Sequence, residues 1–284
     1  DAYGVPAGSR YSYDNFAEIA SNESVDAVYI VLPSGLHAEW TEKAFAAGKH
    51  VLCEKPMALS SAECERMIAA AQRANRRLMI AYRCHFEPYN MQAMELMDQD
   101  AVGTLRMIRG EQSYRMGPTT PAENWRVNRA LGGRGPLEDY GIYGLQAALY
   151  LSGEMPESVA AASYQPAGDP RFAEIAAHVA SQLRFPSGAV AQLATSYDSA
   201  GINEVDARGT TRALLMQPAT GSSGNNMVLE MGRESREFTP GDSTVQFARQ
   251  LDHLADAIRD GSDIRTPGEM GLRDVRLMEA IYAA

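Results

Sequence analysis

The stretch Val51-Leu52-Cys53-Glu54-Lys55-Pro56 decides the fold of this chain, because an apolar run ends there in a charged pair and a proline. Residues 49–53 have the pattern of a short buried strand, and Pro56 prevents its continuation. In open α/β sheets, ligands bind just outside the carboxyl ends of the strands. The Glu54-Lys55 pair is therefore either a solvated loop or part of a binding site, and the neighbouring segments favour the site.

Helices and strands alternate on both sides of this stretch. Ser60 and Glu63 form a capping box that opens a helix running to about residue 75, and an earlier helix is predicted over residues 37–47. Three strands are predicted, over residues 26–32, 49–53 and 78–82. Helices that alternate with strands at this spacing predict right-handed crossovers and a parallel sheet.

The three strand ends are expected to meet at one edge of that sheet. The first strand is followed by Pro33-Ser34-Gly35-Leu36-His37, and the third by Arg83-Cys84-His85. The edge is therefore predicted to carry four basic groups together: Lys55, Arg83, His37 and His85. An anionic or polyhydroxy ligand explains such a cluster more simply than a structural role does.

A second set of candidate residues lies in the middle of the chain. A glycine-rich turn at residues 131–136 precedes a predicted helix over residues 137–151. Asp139 and Tyr143 are four residues apart and so share one helical face. They are either a first-turn acid and a core aromatic, or an acid/base pair. A phenol has a free pKa of about 10, so the second interpretation needs a nearby ammonium, which Lys55 could supply.

The rest of the chain has the pattern of a mostly antiparallel α+β domain. Strands are predicted over residues 104–116, 158–165, 178–185, 188–197, 203–209, 213–216 and 228–231, and helices over residues 244–259 and 270–282. Pro186-Ser187-Gly188 predicts a hairpin turn. A broad sheet with one face free of helices is expected to join subunits of a homo-oligomer, a dimer or a tetramer.

Composition and charge exclude several classes of protein. The net charge of −10, from 36 acidic and 26 basic residues, argues against nucleic acid as the main partner. No apolar run approaches the roughly 18 residues of a membrane span, and the five histidines have no metal-ligand spacing. The three cysteines form no disulfide framework and favour a reducing cytosol slightly, although the compartment stays open.

The glycine fingerprint of a dinucleotide-binding turn is not found in this sequence. Its nearest match, Gly133-Arg134-Gly135-Pro136-Leu137-Glu138, ends in glutamate and follows no predicted strand. The chain also begins without Met or a signal-peptide pattern. If the first strands belong to a dinucleotide-binding unit, we expect its first turn to lie upstream of Asp1.

Taken together, these residues resemble the glucose–fructose oxidoreductase/inositol dehydrogenase (GFO/IDH/MocA) family, and within it the NADP-dependent aldose oxidoreductases. The likeness covers almost the whole chain. It is carried by Gly48-Lys49-His50-Val51, Glu54-Lys55-Pro56, Leu36-His37-Ala38-Glu39, Tyr82-Arg83-Cys84-His85, Trp125-Arg126, Asp139 with Tyr143, and Gln250-Leu251-Asp252-His253. Trp125 and Arg126, which otherwise read as a surface loop, thereby become site candidates.

The resemblance implies a partial Rossmann domain over residues 1–84 and a C-terminal α/β domain for substrate binding and oligomerisation over residues 85–284. It implies NADP as cofactor, a sugar as substrate, and hydride transfer from C1 of an aldose to C4 of the nicotinamide, which gives the lactone. Lys55 would hold the C1 oxygen, Tyr143 would take its proton, and Asp139 would orient the sugar and the lysine. Most of the family has His at the place of Tyr143, and the Tyr form belongs to the glucose–fructose oxidoreductase branch.

The resemblance also implies a set of cofactor contacts. The nicotinamide half would lie against Glu54, Lys55, Arg83, Trp125, Arg126 and Tyr143, and the ribose and pyrophosphate would lie along Leu32, Pro33, Ser34, Leu36 and His37. Because the glycine fingerprint is missing, the choice of NADP over NAD depends on the resemblance alone.

Three functions remain open on the sequence. The first is an NADP-dependent aldose oxidoreductase whose bound cofactor is re-oxidised by a second sugar. The second is a simple NAD(P)-dependent sugar or cyclitol dehydrogenase, and the third is a non-catalytic cofactor sensor. The intact set of Lys55, Asp139 and Tyr143 argues against the sensor, which has no need of proton transfer.

Overall fold

The computed structural model describes residues 4–284, and its first sheet is the parallel one that the sequence predicts. Val51 pairs in parallel register with Val28 on one side and with Leu78 on the other. The strands lie side by side in chain order and are β1 (Ala27–Ile30), β2 (His50–Cys53) and β3 (Leu78–Ile80). All three therefore end at the same edge.

Helices α1 (His37–Ala46) and α2 (Ser61–Ala74) connect these strands, and local signals determine the ends of α2. The Ser60 hydroxyl accepts a hydrogen bond from the Glu63 N–H at 3.3 Å, as a capping box requires. Asn75, at φ +50°, ends the helix in the left-handed conformation that asparagine tolerates. The predicted β-α-β-α-β order and the predicted capping box are both confirmed.

The second sheet is large and mainly antiparallel, as predicted. Its strands are β4 (Leu105–Arg115), β5 (Ser158–Tyr164), β6 (His178–Arg184), β7 (Val190–Ser196), β8 (Asp198–Gly209), β9 (Ala213–Met216), β10 (Met227–Met231) and β11 (Glu234–Phe238). They lie in the order β11-β10-β9-β8-β4-β7-β6-β5. The β4–β7 pair is parallel, and the other neighbouring pairs are antiparallel.

Five further α-helices lie within residues 4–284, and of these α5 and α7 pack on strands of the large sheet. They are α3 (Pro88–Asp98), α4 (Arg129–Gly132), α5 (Ile142–Ser152), α6 (Gln246–Asp260) and α7 (Gly268–Ala283). Helix α5 packs on β4, and α7 packs on α2 and β3. Just before α7, the Thr266 carbonyl accepts the Ile80 N–H at 2.8 Å. The last segment of the chain therefore lies against the first sheet.

Glycines let α5 approach β4 closely. A Cβ atom at Gly144 would lie 2.5 Å from Gln112 Oε1, and one at Gly110 would lie 3.4 Å from the Cα of Gly144. A larger residue at either position would push the helix away from the sheet. The close contact therefore sets the height of Tyr143, the neighbour of Gly144, above the sheet.

Gly35 allows the turn after β1 to touch α4, and we expect Gly35→Ala to lower the free energy of unfolding by about 1–3 kcal/mol. The added Cβ would lie 2.1 Å from the Ala130 carbonyl oxygen, a backbone atom that cannot rotate away. Gly117→Ala is the matched control, because nothing lies within 4 Å of a Cβ there. Urea unfolding measures both variants. Equal stabilities of the two would contradict the packing explanation.

Two kinds of feature are missing from residues 4–284. None of the helices there combines the length and the apolar character that a membrane crossing requires. No three or more His, Cys, Asp or Glu side chains in that range are grouped in a way that could hold a metal ion.

Candidate active site

Lys55 and Asp139, predicted from distant parts of the sequence, meet between the two sheets. Lys55 follows β2, and its Nζ donates hydrogen bonds to the Asp139 carbonyl oxygen at 2.5 Å and to Asp139 Oδ1 at 3.2 Å. The two side chains are only 11% and 13% exposed. Burial lowers the pKa of Lys55, but its interactions with Tyr143 and Asp139 outweigh burial and raise the pKa above the usual lysine value. Lys55 is therefore an ammonium at neutral pH.

The second oxygen of Asp139 binds two further groups. Arg126 Nε donates to Oδ2 at 3.1 Å, and the Tyr197 hydroxyl donates to the same atom at 3.0 Å. The Arg126 guanidinium also stacks on the Trp125 ring, 4.4 Å from its centroid. Burial raises the pKa of Asp139, but Lys55 and Arg126 lower it by more, so the carboxyl group stays ionised. Sequence reasoning missed Tyr197, although its place just after β7 was a usable signal.

Tyr143 lies one turn further along, and the backbone before it differs from the prediction. Residues Leu137–Gly141 form a π-helical turn, and the regular helix begins only at Ile142. The Lys55 Nζ lies 4.9 Å from the centroid of the Tyr143 ring. The phenol oxygen itself accepts a hydrogen bond from Arg83 Nε at 3.1 Å. Two cations therefore lie beside the Tyr143 ring, and one of them, Arg83, also binds its oxygen.

Arg83 is held by protein acceptors on all sides. Its Nη1 donates to the Gly221 carbonyl at 3.1 Å and to Gln246 Oε1 at 2.6 Å, and its Nη2 donates to the Thr220 carbonyl at 2.7 Å. These partners come from the loop between β9 and β10 and from the start of α6. The sequence carried no local signal for them, because they lie more than a hundred positions from Arg83.

The prediction that His37 and His85 join Lys55 and Arg83 as basic groups at the sheet edge was wrong. The His37 ring is buried, and its two nitrogens lie 2.8 Å from the Pro56 and Leu32 carbonyls. His85 is also buried, with Nε2 2.7 Å from Gln146 Oε1. Burial lowers the pKa of His85 to about 4, so this ring is neutral at pH 7. Both imidazoles point inward, where carbonyl oxygens of Pro56 and Leu32 accept from His37 and the side-chain oxygen of Gln146 accepts from His85 Nε2; a neutral His37 ring can donate to only one of its two carbonyl neighbours at a time.

The remaining predicted cofactor contacts lie along the carboxyl edge of the first sheet. Pro33 leads into a short 3-10 turn, Ser34–Leu36, and His37 joins this turn to Leu32 and to the turn after β2. Glu54 accepts a hydrogen bond from the Tyr29 hydroxyl and, through Oε2, one from the Lys55 N–H at 3.1 Å.

This edge lies where open α/β sheets bind their ligands. Such sheets bind them outside the carboxyl ends of parallel strands, where the turns after β1, β2 and β3 lie. An ammonium, a carboxylate and a phenol, from Lys55, Asp139 and Tyr143, lie together there. They can hold and deprotonate a hydroxyl group beside the cofactor.

We expect Asp139→Asn to lower the free energy of unfolding at pH 7 by on the order of 3 kcal/mol, because it breaks a buried charge cluster. The pKa of Asp139 in the folded chain lies below the unfolded value of about 4. The ionised Asp139 carboxylate therefore stabilises the folded chain fully above about pH 4. This contribution is lost as the pH falls through the pKa that Asp139 has in the folded chain. The difference in the free energy of unfolding between wild type and Asp139→Asn should therefore shrink as the pH falls.

Urea unfolding at pH 7, 5 and 3 measures this dependence. Asp252→Asn, at an exposed position of α6, is the matched control and should match the wild type at each pH. A deficit in Asp139→Asn that is the same at pH 7 and pH 3 would contradict the assignment of its charge.

Comparison with known families gives two matches along the chain. Residues 1–82 match the family described as "Oxidoreductase family, NAD-binding Rossmann fold". Residues 90–214 match the "GFO/IDH/MocA C-terminal domain". The second match includes Trp125, Arg126, Asp139 and Tyr143, and the first includes Lys55.

Individual proteins agree with these matches over nearly the whole chain. The aldose-aldose oxidoreductase of Caulobacter crescentus, solved with glycerol, is 42% identical, with a TM-score of 0.95 over 100% of this chain and 84% of that one. A 3-ketoreductase from Actinomadura kijaniata, solved with NADP and TDP-benzene, is 27% identical, with a TM-score of 0.85 over 96% and 82%. An NADP(+)-dependent D-xylose 1-dehydrogenase of Haloarcula marismortui is 28% identical over 96% of this chain and 76% of its own length.

Proposed function

The chain belongs to the GFO/IDH/MocA oxidoreductase family, and on that premise we propose that it is an NADP-dependent aldose oxidoreductase that converts a sugar to its lactone at C1. The likeness to an aldose-aldose oxidoreductase and to an NADP(+)-dependent xylose dehydrogenase supports a sugar substrate and NADP as cofactor. The proposed division into a cofactor domain, residues 1–84, and a substrate domain, residues 85–284, follows the two family matches.

One observation carries the proposal more than any other. The buried ammonium of Lys55 lies against Asp139 and over the ring of Tyr143 at the carboxyl edge of a parallel sheet. If the Lys55–Asp139 pair were only structural, it would not need the Tyr143 phenol beside it, nor Arg83 to hold the phenol oxygen. Oxidation of a hydroxyl group needs both a cation that holds its oxygen and a base that takes its proton.

Each residue has a separate part in the proposed reaction. The nicotinamide, when bound, accepts the hydride from C1 of the sugar. Lys55 donates a hydrogen bond to the C1 oxygen, and Tyr143 acts as the base that takes the proton of that hydroxyl group. Asp139 orients Lys55 and the sugar, while Arg126 and Tyr197 keep its carboxylate in place. The electron pair of the broken O–H bond stays on the oxygen. It becomes the second bond of the lactone carbonyl while the C1–H pair leaves as hydride.

We propose further that the cofactor stays bound and returns its hydride to a second sugar. The test uses protein from the complete gene, purified without added cofactor and mixed with excess glucose while near-UV absorbance of reduced nicotinamide is followed. A single-turnover rise that reverses on addition of a second carbonyl sugar supports retention and exchange.

A simple dehydrogenase with exchangeable cofactor is the second candidate, because an NADP(+)-dependent xylose dehydrogenase is among the relatives. In the same assay it gives no rise until NADP is supplied and then turns over steadily. No signal across a panel of aldoses, with or without NADP, would overturn both candidates.

We propose that the open face of the eight-stranded sheet joins copies of the chain. The face opposite α5 has a shallow groove of about 530 Å³, lined by small and polar side chains such as Ala160, Ala180, Gln182 and Gln192. Small side chains let two sheets approach closely. Light scattering on the purified protein distinguishes a dimer or a tetramer from a monomer.

A further inference from the structure

The phenol oxygen of Tyr143 is bound by Arg83 and not by Lys55. Arg83 Nε donates to it at 3.1 Å, and the guanidinium carbon lies 4.6 Å from the ring centroid. The Lys55 Nζ lies 4.9 Å from the same centroid and gives its hydrogen bonds to Asp139. Both cations therefore lie over the same ring, but their hydrogen bonds go to different acceptors, Asp139 for Lys55 and the phenol oxygen for Arg83.

The positive charge of Arg83 has no carboxylate partner. Its other hydrogen bonds go to the neutral carbonyls of Thr220 and Gly221 and to the amide of Gln246. Within residues 4–284, the structure gives it no ion pair with an Asp or Glu side chain. Cys84 and Glu54 also lie near enough to act on the charge of Arg83, but of the ionisable groups only the phenol of Tyr143 accepts a hydrogen bond from its guanidinium. A buried cation among otherwise neutral acceptors favours a negative charge on that phenol.

The loop that holds Arg83 is itself rigidly bonded. Asn203 Oδ1, on β8, accepts the N–H groups of Ala219 and Thr220 at 3.3 and 3.0 Å. Asn225 Oδ1 accepts the Gly221 N–H at 2.7 Å. The carbonyls that bind the guanidinium are therefore anchored to the eight-stranded sheet, which is the sheet on which the Tyr143 helix also packs.

We infer that Arg83 is a positioning residue that fixes the phenol oxygen of Tyr143 and stabilises its phenolate, while Lys55 and Asp139 serve the sugar hydroxyl. This inference deepens the proposed function and rests on it for the role of the phenolate. An arginine suits the task because it does not lose its proton near neutral pH and so stays out of the proton transfer. The β9–β10 loop and Gln246 act through Arg83, and none of them needs to touch sugar or cofactor.

The ionisation of Tyr143 can be measured without turnover. Protein from the complete gene is labelled with 3-fluorotyrosine, and the ¹⁹F resonance of Tyr143 is assigned by its absence in Tyr143→Phe. The pH midpoint of this resonance is then recorded without sugar. In Arg83→Gln we expect the midpoint to rise by on the order of one pH unit, a tenfold loss of phenolate at a given pH. Arg83→Lys should recover part of the shift, because it keeps the charge.

Two further variants complete the design. Gln246→Glu places a carboxylate 2.6 Å from Arg83 Nη1, and it should raise the midpoint although Arg83 is unchanged. Arg66→Gln, at an exposed arginine that pairs with Glu42, is the matched control and should leave the midpoint alone. Circular dichroism confirms that each variant is folded, and if Arg83→Gln does not fold, Gln246→Glu and Arg83→Lys decide the question.

The outcomes separate this inference from the proposed function. A raised midpoint with a matching upward shift of the acid limb of kcat/KM for an aldose supports both. A raised midpoint in a protein that oxidises no aldose supports the role of Arg83 and overturns the proposed function. A midpoint that stays at the wild-type value in Arg83→Gln and Gln246→Glu, or that moves only when Lys55 is replaced by Met, would overturn the inference.

Discussion

Replacement of Lys55 by Met is expected to lower kcat/KM for aldose oxidation by about 10³-fold, the scale seen when a preorganised charged donor is removed from a reacting oxygen. The ammonium is buried, bonded to Asp139 and 4.9 Å from the centroid of the Tyr143 ring, so it is already held beside the proposed base. Methionine fills a similar volume but donates no hydrogen bond. Steady-state kinetics with excess NADP and a panel of aldoses measure the loss.

The fold should survive this change. After removal of the ammonium, the Asp139 carboxylate keeps its bonds to Arg126 and Tyr197 and is not left as an unpaired buried charge. Lys43→Met is the matched control, because that lysine is 46% exposed and pairs with Glu39 on the same helix, far from the site. Retention of more than a tenth of wild-type kcat/KM in Lys55→Met would remove Lys55 from the reaction.

Tyr143→Phe should lower kcat/KM by about 10²–10⁴-fold, the range for loss of a general base. The ring stays in place over Lys55 and Arg83, so binding and folding should change little. Arg83 loses one of four acceptors, which costs about 1 kcal/mol of stability. The residual activity should also lose the acid limb of its pH profile, because the titrating base is gone.

Tyr164→Phe provides the comparison for that experiment. Tyr164 lies at the end of β5, is 59% exposed and stacks on His178 through its ring, which phenylalanine retains. Its loss of a hydroxyl group should change neither rate nor pH profile. A Tyr143→Phe enzyme that keeps both its rate and its acid limb would assign the proton transfer to another residue.

The parallel sheet could be predicted because its signals are local. The apolar runs at β1, β2 and β3 and the Ser60-Glu63 box act over a few residues, so neighbouring side chains reveal them. Helix α3 and strand β11 gave weaker signals. Strand β11 is a polar edge strand with four exposed residues of five, and α3 depends on a glutamate cap and on Pro88 in its first turn. A burial pattern cannot reveal β11, which buries one residue of five, and two of the four buried residues of α3 are Pro88 and Asn90, which a pattern of apolar residues does not count.

The residues of the candidate site also fall into a group that the sequence identified and a group that it misplaced. Lys55, Asp139 and Tyr143 could be named from residue type, position at a strand or helix end, and family resemblance, and the structure brings them together. The expectation of a cluster of four basic groups failed for His37 and His85, because both rings are buried against interior oxygen atoms. The predicted contact of His37 with the cofactor stays a prediction.

By itself, the sequence determined the order of helices and strands, the parallel sheet, and the residue types at its carboxyl edge. Only the tertiary structure decided that Arg83 binds the oxygen of Tyr143 and that Tyr197 binds Asp139. The partners in these bonds are 60 and 58 residues apart and come from different elements. A hydrogen bond tolerates only a few tenths of an ångström in distance, and only tertiary packing, such as that of α5 on β4, fixes distances that finely.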